Sequence, residues 1–192
     1  MTITRARSTG SAAAAFDPVS GNIFYTEYNP GGTSQGRVAY WNPTTATNTI
    51  INTTGFGVQI PRLAFSSNGT LYGMDAANVL YTINTTNGQF TTVGTVTGVT
   101  PTSGGDLAFS PNGTLYLLAA GTLYTIGLPS LAATTVLTTG ITNPTGLTFA
   151  DNSILYASDL ALNANMYTIN LSTGTTTPTS SLAGTLVDDL TS

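Results

Sequence analysis

The chain has 192 residues, with eight acids, four arginines, no lysine, histidine or cysteine, and a charged share of 6% against roughly 25% in an ordinary soluble domain. That length suffices for one domain with a real core, and a net charge of −4 with so few cations excludes a basic face for phosphates, hence nucleic acid and anionic membrane surfaces as partners. The missing cysteines exclude disulfides and thiolate metal sites, no run approaches the ~18 apolar residues of a membrane span, and no stretch following Arg5 and Arg7 is long and apolar enough for a signal peptide.

Threonine makes up about a fifth of the chain, and Thr, Val, Ile, Tyr and Phe dominate the regular stretches; these are strand formers. Nowhere do apolar residues recur at a helical period over ten or more residues, so no helix is expected. In chain order, Met1 to Thr9 alternates and reads as an outer strand. Four strands follow at Ala13–Phe16, Ile23–Tyr28, Arg37–Trp41 and Asn48–Thr53, with a Gly-rich surface loop over 29–36. The next four are Arg62–Phe65, Thr70–Met74, Asn78–Ile83 and Gln89–Val96. Ser67-Asn68-Gly69 and Thr86-Asn87-Gly88 form turns between them, because Gly and Asn tolerate positive φ. Then come Asp106–Phe109, Thr114–Leu118, Thr122–Ile126 and Ala133–Thr139, and after them Gly146–Phe149, Ile154–Ser158, Asn165–Asn170 and Thr175–Ser181. Leu186–Thr191 reads as the start of another inner strand or a clasp.

One motif is written four times. Leu63-Ala64-Phe65-Ser66-Ser67-Asn68-Gly69-Thr70-Leu71-Tyr72 is followed by Leu107-Ala108-Phe109-Ser110-Pro111-Asn112-Gly113-Thr114-Leu115-Tyr116. Looser copies begin at Leu147 and Ala14. The anchor residues Phe16, Phe65, Phe109 and Phe149 mark a period of 40 to 49 residues, the signature of propeller blades. Leu-Ala-Phe-x-x-Asn-Gly-x-Leu-Tyr followed by Tyr-Thr-Ile resembles the repeat of the NHL and SMP-30-like β-propeller superfamily. The expected fold is therefore all-β: a single four-bladed β-propeller of four-stranded antiparallel blades, at approximately 12–61, 62–105, 106–145 and 146–186. A half-ring that needs a second copy to close is the alternative. The resemblance implies that the Leu-Ala-Phe runs line the central channel.

Without His, Cys or Lys the usual bases and nucleophiles are missing. Asp75 and Asp159 each lie ten residues after an anchor Phe, with Glu27 nearby in the first repeat and Ala119 in the third. These acids read either as a channel-mouth ring holding a cation or as residues capping strand ends. In the SMP-30-like enzymes the resemblance implies a metal site drawn from several blades, which the missing third acid argues against. Arg62 and Asp106 occupy equivalent positions three before the anchor Phe and are expected to form a buried ion pair in the channel. Asp188-Asp189 reads as a solvated tail. Tyr28, Tyr40 and Trp41 are candidates for a glycan-stacking platform. Asn52, Asn68, Asn84, Asn112 and Asn170 head Asn-x-Ser/Thr sequons and are candidate glycosylation sites.

The outer strands carry no charge, which leaves their edges open to pairing. The sequence therefore suggests a non-enzymatic protein without cofactors, whose partner is itself. It would assemble into a filament, tube or surface layer outside the cell or on its surface. A carbohydrate- or ligand-binding module is the alternative, and a metal-dependent lactonase-like hydrolase a weaker one.

Overall fold

The structure is a computed structural model that describes residues 10–28, 35–100, 102, 104–150, 153–160, 164–181 and 190. The first blade consists of β1 (Gly10–Phe16), β2 (Ile23–Tyr28), β3 (Val38–Asn42) and β4 (Thr47–Ile50). β5 (Arg62–Phe65), β6 (Leu71–Met74), β7 (Val79–Ile83) and β8 (Phe90–Thr95) form the second. The third holds β9 (Asp106–Phe109), β10 (Leu115–Ala119), β11 (Thr122–Ile126) and β12 (Ala133–Thr138). The fourth holds β13 (Pro144–Phe149), β14 (Leu155–Asp159), β15 (Asn165–Asn170) and β16 (Thr175–Ser181). Each blade is an antiparallel up-and-down sheet in sequence order. The expected all-β, four-bladed β-propeller is what the chain forms, with no helix among the described residues. The sequence placed every strand; β1 starts three residues earlier than expected and β4 ends three earlier.

The turns explain why the strands break where they do. After β5 the Ser66 amide meets the Thr70 carbonyl at 3.0 Å, Gly69 sits at φ +80°, and Asn68 Oδ1 accepts from the Thr70 amide. Ser110 to Thr114 repeats this arrangement with Gly113 at φ +83°. Between third and fourth strands an Asn side chain caps the turn: Asn84 Oδ1 accepts from the amides of Thr86 and Asn87, and Asn170 Oδ1 from those of Ser172 and Thr173. Asn42 does the same in the first blade, but Ala46 takes the left-handed position that Gly88 and Gly174 hold elsewhere.

Period-two alternation sends neighbouring side chains to opposite faces of each blade, so every blade is apolar on both. Among the described residues three hydrophobic clusters result, one at each junction between the first and second, second and third, and third and fourth blades. Ala15, Phe24, Val38, Leu63, Leu71 and Ile83 join the first blade to the second. Met74, Leu80, Leu107, Leu117 and Ile126 join the second to the third. Leu118, Leu123, Leu147, Leu155 and Ile169 join the third to the fourth. An aromatic series runs through the same junctions: Phe24 meets Phe65, Tyr72 meets Phe109 and Tyr116 meets Phe149, with ring centroids 5.3, 5.2 and 5.4 Å apart. Arrangements of this kind add about 0.5–1.5 kcal/mol each beyond area burial.

The outer strands differ from expectation in one respect. β8, β12 and β16 each shift register by one residue against their inner neighbour, which bulges Val93, Val136 and Thr179 out of the ladder. Bulges add twist and blunt an edge, as charges would.

Candidate functional site

The inner strands β1, β5, β9 and β13 surround a channel lined by Ala14, Phe16, Ala64, Phe65, Ala108, Phe109, Thr148, Phe149 and Leu190. Its cavity of about 60 Å³ holds a few waters at most, so a substrate must sit at a mouth rather than inside. The two mouths differ in chemistry. One end gathers Glu27 at the end of β2, Arg37 before β3, Arg62 at the start of β5, Asp75 after β6, Asp106 at the start of β9 and Asp159 at the end of β14. At the other end Asp17 is the only charged side chain among the described residues.

Arg62 is fully buried. Its Nη1 donates to the Asp75 carbonyl at 2.8 Å and its Nη2 to the carbonyls of Thr102 and Gly104. The guanidinium thus clamps the connection between the second and third blades. Burial pulls its pKa below the ordinary arginine value, while the charges of Asp106 and Asp75 push the other way. Asp106, also buried, accepts through Oδ2 from the Leu147 amide of the next blade at 3.0 Å. The two residues the sequence paired therefore attract through space, but no direct Arg62–Asp106 salt bridge forms among the described residues. Each reaches main-chain groups first, because unpaired carbonyls and amides at the blade junctions would be costly.

The expected ring of acids resolves into separate local devices. Asp75 Oδ1 accepts from the amides of Ala77 and Val79, and its Oδ2 from the Tyr81 hydroxyl at 3.1 Å. Asp159 Oδ1 accepts from the Asn165 amide, and its Oδ2 from Asn165 Nδ2 at 2.9 Å and the Tyr167 hydroxyl at 2.8 Å. Burial pushes the Asp159 carboxyl up, but the Asn165 and Tyr167 donors outweigh it and hold the group below its ordinary value. Tyr81 and Tyr167 are pushed up, by burial first and then by the carboxylate each faces. Glu27 is taken by Arg37, whose Nη2 lies 2.5 Å from Oε2. No group of three or more acids that could hold a metal ion occurs among the described residues, so the donor set does not fit the cation that the family resemblance implies.

The glycan platform does not assemble from Tyr40 and Trp41. Adjacent on β3, they point to opposite faces, and Tyr40 packs on Phe24 at 5.3 Å inside a junction. The Tyr28 side chain lies outside the described residues, as do Met1–Thr9, Asp188-Asp189 and most of Leu186–Thr191. Among the sequons, Asn52 is committed internally: Oδ1 accepts from the Val38 amide at 2.6 Å and Nδ2 donates to the Thr54 carbonyl. Asn68, Asn84, Asn112 and Asn170 are exposed, with Oδ1 turned back on their own turns. Sequence reasoning missed Arg37 as the partner of Glu27, and Tyr81 and Tyr167 as partners of Asp75 and Asp159. A tyrosine follows each of these two acids into the third strand of its blade, which was the available signal.

No protein-family model matches the sequence, and no curated protein matches it. Solved structures do. A Bacteroides thetaiotaomicron protein of unknown function aligns over 100% of this chain and 56% of its own, with TM-score 0.74 and 14% identity. A gluconolactonase from Xanthomonas campestris aligns over 96% and 67%, with TM-score 0.64 and 15% identity. The virginiamycin B lyase of Staphylococcus aureus aligns over 90% and 56%, with TM-score 0.55 and 14% identity. These likenesses show the fold, a β-propeller. This chain thus spans just over half the length of the first of these structures. The neighbours also correct an expectation. A chain without His, Lys or Cys suggested a non-enzyme, yet a gluconolactonase and a lyase are built on this fold, so catalysis belongs to its repertoire.

Proposed function

We propose that this protein is a propeller enzyme that takes a small substrate at the charged mouth of its channel, with a cyclic ester of a hydroxylated acid as the substrate class. The observation that carries this reading is the polarity of the ring: two described arginines and four acids share one mouth, and the channel below is too narrow to admit a ligand. The gluconolactonase among the similar structures supports the substrate class.

Within the mouth, Arg37 is the cation a substrate can reach. Its side chain is 19% exposed, and Glu27, 1% exposed, fixes its guanidinium from behind. A guanidinium held in this way stabilises the oxyanion that develops when water adds to an ester carbonyl, and losing one such donor lowers kcat by about 10²–10³. No step runs through a metal ion. The test is proton release from glucono-δ-lactone and a panel of other lactones at neutral pH, against the spontaneous rate. Wild type should exceed buffer, and Arg37→Gln should lose about 10²-fold with its circular dichroism unchanged. Turnover no faster than buffer, or a fully active Arg37→Gln, would overturn the proposal.

Assembly into a filament, tube or layer has less to support it. The outer strands are exposed and uncharged, but the bulges at Val93, Val136 and Thr179 twist three of the four edges away from flat pairing.

A further inference from the structure

Asparagine is followed by glycine three times, at Asn68-Gly69, Asn87-Gly88 and Asn112-Gly113, each time in a turn between antiparallel strands. The pairing is chemically reactive, because glycine has no Cβ to keep its amide nitrogen away from the asparagine side chain. That nitrogen can attack the side-chain carbon Cγ. The fold sets the rate in two ways: by stabilising the negative charge that builds on Oδ1, and by holding or freeing the glycine amide. The three turns differ in both.

At Asn112 two donors converge on Oδ1: the Ser110 hydroxyl at 2.5 Å and the Thr114 amide at 3.2 Å. Asn68 has the same pair, the Ser66 hydroxyl at 2.6 Å and the Thr70 amide at 3.2 Å. Donors so placed stabilise an oxyanion as it develops. Asn87 Oδ1 has the Gln89 amide alone among the described residues, at 3.0 Å. Access to the glycines runs in the same order. Gly113 is exposed, borders an open cavity of about 510 Å³ and has nothing within 4 Å of an added Cβ. Gly69 is half-buried against Val19, and Gly88 is buried against the Asn52 side chain. Each glycine amide donates to a carbonyl of its own turn: Gly69 to Ser66 at 2.9 Å, Gly88 to Asn84 at 2.8 Å and Gly113 to Ser110 at 2.8 Å. That bond must break before the nitrogen can attack, and an exposed turn opens at lower cost than a covered one.

We propose that Asn112 is a site of self-modification in the folded protein, converted by its own turn to aspartate and isoaspartate, with Asn68 following more slowly and Asn87 protected. Base removes the Gly113 amide proton, and the nitrogen forms a bond to Asn112 Cγ while Ser110 and Thr114 hold the oxygen. The Cγ–Nδ2 bond breaks and ammonia leaves, giving a cyclic imide. Water then adds to either carbonyl of the ring and opens it, so no oxidant or reductant is needed. The products change the molecule in two ways. Each conversion adds a negative charge at the mouth where Asp17 is the only charged side chain among the described residues. The isoaspartate route also adds a methylene to the main chain between β9 and β10, next to the Phe109–Leu115 pair that begins their ladder. The proposal does not depend on the enzymatic reading.

Timed incubation of the folded protein in neutral buffer, followed by chymotryptic peptide mass spectrometry, tests it. The three asparagines fall on separate peptides, between Phe65 and Tyr72, between Tyr81 and Phe90, and between Phe109 and Tyr116. Asn112 should convert first and Asn68 second, with Asn87 slower than Asn112 by about tenfold or more. In urea, where the turns are gone, the three rates should converge. Ser110→Ala should slow Asn112 and leave Asn68 unchanged, with circular dichroism confirming the fold. A serine that merely shaped the turn would do the opposite, since loosening the turn frees the Gly113 amide. Any other order in the folded protein, or a rate at Asn112 that Ser110→Ala leaves unchanged or raises, would overturn the proposal.

Discussion

Gly105→Ala tests the account of the charged mouth most sharply. Gly105 precedes Asp106 at φ +91°, and its amide donates to the Pro144 carbonyl of the fourth blade at 2.7 Å. A Cβ built there would stand 1.8 Å from the Leu118 carbonyl oxygen and 2.9 Å from its carbon, both backbone atoms of the neighbouring strand β10. Nothing flexible can yield, so β9 and β10 must part. Left-handed backbone costs a non-glycine residue about 1–2 kcal/mol. Overpacking adds roughly 1–3 kcal/mol, and losing the bond to Pro144 about 0.5–1.5 kcal/mol. The expected loss is about 4 kcal/mol, a large share of the roughly 5–15 kcal/mol that holds a domain together. Gly113→Ala is the control. Its φ of +83° is nearly the same, but nothing lies within 4 Å of an added Cβ, so only the backbone cost of about 1–2 kcal/mol applies. Urea unfolding followed by circular dichroism at equal slope separates the two. Equal losses in both variants would show that β10 does not stand where it is placed, and the reasoning about this junction would fail.

Ala46→Gly should stabilise by about 0.5–1 kcal/mol in the same assay, because alanine there holds φ +54°, at a position where the second and fourth blades use glycine; a loss would refute the turn assignment. Arg62→Met keeps the volume but leaves the carbonyls of Asp75, Thr102 and Gly104 without their donor, and about 3 kcal/mol should be lost, visible as a fall in Tm. Asp159 is held below its ordinary pKa in the folded state. Its contribution is therefore fully present above the ordinary carboxylate value near 4 and is lost as pH falls below it. Wild type should lose more stability than Asp159→Asn between about pH 5 and pH 2, and parallel curves would count against the Asn165 and Tyr167 bonds. Tyr167 is held above its ordinary value, so its contribution is present below about pH 10 and declines as pH rises beyond it; Tyr167→Phe should flatten that alkaline limb.

Much of the fold was legible because each blade solves the same local problem. Gly69 and Gly113 announce positive φ at the turns after β5 and β9, and alternation in Leu71-Tyr72 and Leu115-Tyr116 announces strands apolar on both faces. Other features carried no such mark. Ala46 and Ser153 sit at positive φ with side chains that do not advertise it. The bulges at Val93 and Val136 fall on β-branched residues that read as ordinary strand, which is why the edges looked more open to pairing than they are.

The site was legible in composition but not in pairing, and the reason is the scarcity of charge itself. With six charged groups at one mouth and many main-chain donors and acceptors around them, each side chain meets a main-chain group or a residue of its own blade before it can reach a charged side chain of another blade. Arg62 finds three carbonyls, Asp106 finds the Leu147 amide, and Asp75 and Asp159 find their own turns and the tyrosines that follow. Equivalence in the repeat sets these residues at one end of their blades and implies contacts between them that closer partners forestall. Glu27 and Arg37 are the exception, because the first blade runs β2 into β3 through its longest loop and brings two opposite charges side by side at the rim. That pair, its arginine partly exposed and its glutamate buried, is where on the proposed reading an approaching carbonyl oxygen first meets a positive charge already oriented by the protein.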